Sequence, residues 1–523
     1  MREGFKIILT GDEGLVGTYN YTYLGFASGL PMDIFPPILG ELLFPTTSDT
    51  DGRMKTSQYG LCKIEAALVD AGFSRDDVAI VDPRKIEAAI GPRTRAVGIG
   101  VLDPLGVNYG TMLLKVVLEL MGVKTRLQSY MSWATMKLLN KVNELKKRYG
   151  FKVIVGGQGV WEIIDSGLQK RLDIDTIVEG EGELVAPELF YKATVGKHLP
   201  SYVKGPPVPV EKIPIIRTPS RGLVEVTRGC GRGCRFCNPT LLMWRSIPVE
   251  KVLREVVVNI RGGERYITLH SEDFLRYGSP DLLPRRDRVL RLLELVKKVP
   301  NVEEVSIDFV TASTVLSDPK LVREVGDSLG LSEGSFSIVQ MGIETASPRL
   351  LRLIAPGKPK PYPAEEWPKV VEEAVSILNE ASWWICATII VGLPGERAED
   401  VEANIKLVER LEPYNVFIFT LPFIPSGSLR RSKGLTTHDI LPSRENLELI
   451  FIATYDAIKK LRKLSPKLVA KAPPTVKWLL GGLLYFATTI GIRRLQRQIP
   501  SIATKILKTR QGIVEVSAEI RIK

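Results

Sequence analysis

From residue 1 to 191, short runs of β-branched residues alternate with longer stretches of helical period. Lys6–Thr10, Val78–Asp82, Ala96–Val101, Lys152–Gly156 and Asp175–Val178 are largely apolar, as strands covered on both faces must be. Tyr59–Ala71, Thr111–Met121 and Ser132–Tyr149 lie between them and repeat their apolar positions at helical spacing. This alternation predicts an α/β domain built on a doubly wound parallel sheet. Residues 19–57 break the pattern and read as an insertion, a lid or a wall.

Six prolines between Lys197 and Ser220, with no helical period, predict an extended linker over 192–220. A second strand–helix series follows, with strands expected at Leu223–Thr227, Tyr266–His270, Val305–Val310, Phe336–Gly342, Ile385–Val391 and Val416–Thr420. Six such strands over 221–440 predict a partial (β/α)6, TIM-like barrel, with its chemistry at the carboxyl ends of the strands. Residues 441–523 are helical in pattern and basic, and no fixed-period repeat occurs.

Composition narrows the function classes. Apolar content of 44% and charged content of 25% suit a globular protein, and no apolar run is long enough to predict a membrane span. The net charge of +12 is concentrated in the tail: residues 457–523 hold fifteen Lys and Arg against Glu515 and Glu519. The apolar stretch 478–492, flanked by basic residues, suggests either a buried helix or peripheral contact with an anionic membrane surface. Few aromatics interleave with the charges, which argues against nucleic acid as a partner. Three of the five cysteines fall within eight residues, which argues for a metal site in a reducing, cytoplasmic setting and against a disulfide framework.

Those three are Cys230, Cys234 and Cys237, in Val226-Thr-Arg-Gly-Cys-Gly-Arg-Gly-Cys-Arg-Phe-Cys237, directly after a predicted strand. Three thiolates can ligate three irons of a [4Fe-4S] cube and leave the fourth iron open. A structural zinc site would need a fourth protein ligand, and no other Cys or His lies within 30 residues on either side. Cys62 and Cys386 are expected to be buried small hydrophobes. The CxxxCxxC spacing resembles the signature of the radical S-adenosylmethionine superfamily, over about Arg221–Arg431.

The resemblance implies S-adenosylmethionine as a second cofactor, and it implies roles for further residues. Phe236 would lie near the adenine. Gly262-Gly-Glu264 looks like the family's amino-group motif but precedes its strand, so Glu272 and Asp273, which follow it, are better candidates for the methionyl amino group. Gln340, Gly342 and Glu344 resemble the segment that meets the ribose and methionine ends, and Gly392 sits in the family's turn after the fifth strand.

Upstream, Asp103, Leu105 and Gly106 close one strand, Gly156-Gly157-Gln158-Gly159 another, and Gly180-Glu181-Gly182 a third. With the barrel downstream, residues 1–191 resemble the Rossmann-like cobalamin-binding domain of cobalamin-dependent radical enzymes, which would place cobalamin at these loops. No histidine precedes His198, so a histidine ligand to cobalt from this domain is excluded. The resemblance points to a cobalamin-dependent methyltransferase acting on an unactivated carbon, supplied with electrons by a ferredoxin or flavodoxin. A ring- or carbon–carbon-bond-forming enzyme acting on a lipid or other metabolite, and a non-catalytic sensor, are its rivals. Methylthiolation is disfavoured, because of the three upstream cysteines that chemistry requires only Cys62 is present.

Overall fold

The computed structural model describes residues 3–16, 28–123, 128–238, 243–425, 427–430 and 444–468, with 482, 485 and 488–497. The apolar stretch 478–492 and most of the basic tail therefore lie largely outside the described residues. Among those described, no helix is long and apolar enough to cross a membrane.

The first series of apolar runs forms a six-stranded parallel sheet of β1 (Ile7–Gly11), β2 (Val78–Ile80), β3 (Ala96–Gly100), β4 (Lys152–Gly156), β5 (Thr176–Gly180) and β6 (Tyr202–Gly205). Their order is β2-β1-β3-β4-β5-β6, so the winding reverses between β1 and β3. In such sheets the crevice beyond the carboxyl ends at that reversal is where ligands bind. Alternation along each strand sends Ile8, Val97 and Val153 to one face, against Leu138, Leu139 and Val142 of the helix Tyr130–Tyr149. Ile7, Leu9 and Ile154 face the other side, against Leu61 and Leu68 of the helix Tyr59–Asp70 and Phe190 of Ala186–Thr194.

Two sequence expectations gain detail here. The segment 192–220 is extended, as its prolines require, but it also contributes β6, paired in parallel with β5. Of the insertion, Phe35 and Phe44 pack on Tyr130 with ring centroids 5.4 and 5.5 Å away, so it is anchored by an aromatic cluster.

The second series gives β7 (Leu223–Glu225), a two-residue ribbon of β8 (Thr227–Arg228) with β9 (Arg245–Ser246), then β10 (Tyr266–His270), β11 (Glu304–Ile307), β12 (Ser337–Glu344), β13 (Trp383–Val391) and β14 (Val416–Pro422). The six barrel strands do not form one continuous ladder. They make two three-stranded parallel sheets, β11-β10-β7 and β12-β13-β14. The interruption follows β11, where Asp308 turns its carboxylate to His270 and the Ser271 N–H. Val310 N donates to the Gln340 carbonyl at 3.1 Å.

Chain packing defines two compact units. One comprises Met1–Thr111, Arg126–Gly231 and Asn238–Phe309; the other comprises Met112–Thr125, Arg232–Cys237 and Val310–Lys523. The six-stranded sheet and β11-β10-β7 belong to the first unit, and β12-β13-β14 to the second. In the second unit the helix Arg444–Leu468 lays Ala457 and Leu464 against Trp384 of β13 and Phe417 of β14.

Candidate functional site

The cysteine loop leaves the ribbon at Arg228 and bends at three left-handed glycines, Gly229, Gly231 and Gly233, with φ of 76°, 69° and 69°. Side chains disfavour that conformation, so the tight wrap around Cys230 requires glycine on both sides. Cys230 and Cys237 are half-buried and Cys234 is buried. Among the described residues, no three His, Cys, Asp or Glu side chains converge as the ligands of one metal ion. A cube asks for one thiolate per iron, a different demand that three sulfurs along a bent loop can meet.

Within the first unit, the carbonyl of Cys230 accepts a 2.6 Å bond from Arg276, which is 2% exposed. The same guanidinium reaches the Asp281 carbonyl and lies 4.2 Å from the centre of the Trp244 ring. Arg228, two residues before Cys230, is held by Glu225, Glu181 and Glu183, each within 2.8 Å. Glu181 also takes Arg245 at 2.6 Å and the Val208 N–H at 2.9 Å. Burial alone would raise the carboxyl pKa values of Glu181 and Glu225, but their arginine partners hold both below the ordinary range.

Sequence reasoning did not find Arg276, Arg228 or Arg245. Isolated arginines carry no spacing signal, and only the fold gathers them. The structure also separates the candidates after β10. Asp273 is fully buried, whereas Glu272 is half-buried and is the more accessible of the two. Gly262 follows the helix Val249–Arg261 and precedes β10. Beside Glu272, His270 Nδ1 bonds Asp308. Burial would depress its pKa, but Asp308, with Glu272 and Glu225, overrides this and pushes it up to about 9.

In the second unit, Cys237 N donates to the Cys234 carbonyl at 3.1 Å, and Arg235 N to the Ile354 carbonyl at 2.8 Å. Phe236 packs against Leu350, Ile354, Ile390, Leu393, Phe423 and Leu429, so the aromatic ring expected near adenine is seated on this apolar cluster. Gln340 is half-buried on β12. Glu344, at its end, pairs with Lys358 at 2.8 Å, and a Cβ on Gly342 would lie 2.1 Å from the Glu344 carboxylate. Gly392, after β13, is exposed at φ 78° and donates its N–H to Glu396. Cys62 is fully buried, and burial raises its thiol pKa well above the ordinary value. Cys386, expected to be buried, is only half-buried on β13, and desolvation pushes its thiol up to about 12.

The cobalamin candidates divide into two groups. Asp103 is buried, bonded to Thr111 and accepting the Asn108 N–H at 3.0 Å. Beside it, burial pushes Glu162 up to about 9, with Asp103 adding to the shift. Gly106 is buried, and Glu181 is wholly engaged by arginines. Cβ atoms on Gly157, Gly159 and Gly180 would strike the carbonyls of Val101, Leu102 and Gly205 at 2.4, 2.5 and 2.4 Å, so these glycines serve backbone contact. Gln158 is exposed, and Leu105, Gly156 and Gly182 are half-buried; these remain to meet a bound group.

Residues 224–408 match the Radical SAM superfamily model. An uncharacterized methyltransferase of Pyrococcus horikoshii is 26% identical over 329 residues, which is 56% of this chain and 64% of that protein. An uncharacterized protein of Methanopyrus kandleri is 32% identical over 195 residues, 36% of this chain and 34% of its own length. A tRNA-2-methylthio-N(6)-dimethylallyladenosine synthase of Caldicellulosiruptor saccharolyticus is 26% identical over 45% of this chain and 47% of the synthase. This chain thus covers less than two thirds of each of these relatives. Among solved structures, the radical S-adenosylmethionine methyltransferase TsrM from Kitasatospora setae, with tryptophan substrate and a SAM analogue bound, aligns with a TM-score of 0.52. That alignment covers 81% of this chain and 75% of TsrM at 15% identity, a likeness of fold. Taken with the cysteine loop at its start, the match shows that this chain carries a radical SAM domain over residues 224–408.

Proposed function

We propose that the chain is a radical S-adenosylmethionine enzyme whose Cys230, Cys234 and Cys237 hold a [4Fe-4S] cluster, and that it methylates a carbon with the help of cobalamin. The observation that carries this reading is the glycine-bent loop, which offers three thiolates at the start of a domain of that family. When bound, the cluster supplies the electron that splits S-adenosylmethionine into methionine and a 5′-deoxyadenosyl radical, which takes hydrogen from the substrate. Arg276 and the Glu181–Arg228–Glu225 network hold the loop from the side of Cys230. Glu272 is the accessible carboxylate for the methionyl amino group. Glu344, Gly342 and Gly392 shape the nucleoside end.

Cobalamin dependence rests on the parallel sheet, its reversal between β1 and β3, and the accessible Gln158, Gly156, Leu105 and Gly182 at its edge. The methylthiolation reading of the tRNA-modifying relatives is weakened by the fully buried Cys62, which leaves no group of upstream cysteines for a second cluster.

The test is anaerobic reconstitution, iron and cobalt analysis, and product assay after reduction. Four irons per chain, retained cobalamin, and deoxyadenosine formed from S-adenosylmethionine are expected. Iron and deoxyadenosine without cobalamin binding would remove the methyl-transfer part and leave the radical part standing. No deoxyadenosine from the reduced, iron-loaded protein would defeat the whole reading.

A further inference from the structure

We propose that Arg232, the middle residue of the first cysteine spacing, sets the ribose end of the S-adenosylmethionine site through Lys358 and Glu344. The inference rests on the function proposed above. It assigns positioning roles to two residues that the cysteine signature does not specify.

The relay begins at the end of β12. A bulge separates Gly342 from Glu344, and Glu344 has a φ of 67°, unusual for a residue with a side chain. Such conformations persist only where the surroundings hold them, and they gather at ligand sites. Here the carboxylate folds back over the strand, into the space left by the missing side chain at 342. A Cβ there would lie 2.1 Å from Glu344 Oε1 and 2.6 Å from Lys358 Nζ. Oε1 is committed to Lys358 at 2.8 Å. Oε2 has only a long 3.5 Å bond from Thr388 Oγ1 among the described residues, which leaves it acceptor capacity for a hydroxyl donor. A fixed carboxylate with a free lone pair suits the vicinal hydroxyls of a ribose.

Lys358 is 8% exposed and lies on a turn outside any helix or strand, so something else must hold it. Arg232 does. Its Nη1 donates to the carbonyls of Gly357, Lys358 and Lys360 at 3.2, 3.0 and 2.9 Å, and its Nη2 to Thr311 Oγ1 at 3.0 Å. Gly357 packs so closely that a Cβ would lie 2.0 Å from the Arg232 carbonyl. A planar guanidinium can span several fixed acceptors, whereas the lysine ammonium is a point donor. The residue between two cysteines therefore fixes the turn, the turn fixes Lys358, and Lys358 fixes the carboxylate.

The test is calorimetric binding of S-adenosylmethionine and of 5′-methylthioadenosine to the iron-loaded full chain. The second ligand keeps the ribose and lacks the amino acid. Lys358→Met should weaken both by a similar factor, on the order of tenfold, as loss of an outer-shell partner does at other sites. Arg232→Lys should weaken both in the same direction, and Lys358→Arg should restore most of the affinity. Adding Lys358→Met to Glu344→Gln should have no further effect. Loss confined to S-adenosylmethionine would place Lys358 on the methionyl carboxylate and overturn the relay. Unchanged affinity for both, or additive losses in the double variant, would also overturn it. If Arg232→Lys loses iron, the Lys358 variants decide the question alone. If the unaltered protein binds neither ligand, the underlying site reading fails, an outcome distinct from failure of the relay.

Discussion

The glycine-rich loops after β4 and β5 and the glycine-rich cysteine loop look alike in sequence, yet they use glycine for different reasons. Gly157 and Gly180 combine positive φ, 107° and 108°, with neighbouring backbone that lies 2.4 Å from where a Cβ would stand. Gly233 has nothing within 4 Å of that position, and what it needs is a left-handed backbone. Gly392 repeats the second case at the end of β13. Glycines of the first kind are held by packing, and glycines of the second kind leave the space beside them open. The polar residues divide the same way. Glu181 is buried between two arginines, while Glu272 is half-buried.

This contrast can be broken experimentally. The largest effect belongs to the cysteines: replacing Cys230, Cys234 or Cys237 with Ala should abolish iron retention and deoxyadenosine formation, read by iron analysis and chromatography. Retained iron in any of the three would mean that the thiolate is not a ligand. Next comes Glu181→Gln, which takes the shared carboxylate from the buried Arg245 and from Arg228. Breaking a buried pair from one side costs about 3–5 kcal/mol, so the melting temperature should fall sharply. If Glu181 instead served a bound cofactor, stability would hold and cobalamin retention would be lost.

The glycine comparison is sharpened by a matched pair. Gly157→Ala, at φ 107° and against the Val101 carbonyl, should cost about 1–3 kcal/mol in denaturant unfolding. Gly233→Ala meets only the backbone penalty, about 1–2 kcal/mol, and its effect should appear in iron loading more than in stability. Equal stability losses with no change in iron would erase the distinction.

The smallest effect is a pH dependence. His270 is held charged by Asp308 up to about pH 9, above its ordinary value of 6.5. Its stabilising share is therefore complete below 6.5 and lost as the pH rises through about 9. The His270 side chain is 33% exposed, so solvent screens the pair and the effect is modest. The melting-temperature gap between the unaltered chain and Asp308→Asn should narrow across that window. A gap that is constant with pH would show that the pair contributes packing and not charge.

Much of this was legible in the sequence, because two signals are local. Buried parallel strands must be apolar on both faces, so all eleven predicted runs became strands, with ends shifted by a few residues. The three cysteines are separated by fixed spacings, and a ligand set confined to one loop needs no tertiary structure to be seen. Glycines were seen but could not be sorted, since a missing side chain looks the same whether backbone or open space replaces it. The buried arginines and Lys358 could not be seen at all. Their partners lie far away in the chain: Arg245 is 64 residues from Glu181, Arg276 is 46 from Cys230, and Arg232 is 126 from Lys358. The sequence by itself determined the strand–helix alternation and the three thiolates, since both follow from residue type and short spacing. The tertiary structure alone decided which carboxylates are spent on arginines, which glycines face open space and how the barrel strands divide. Burial and ion pairing depend on what long-range folding brings within a few ångströms.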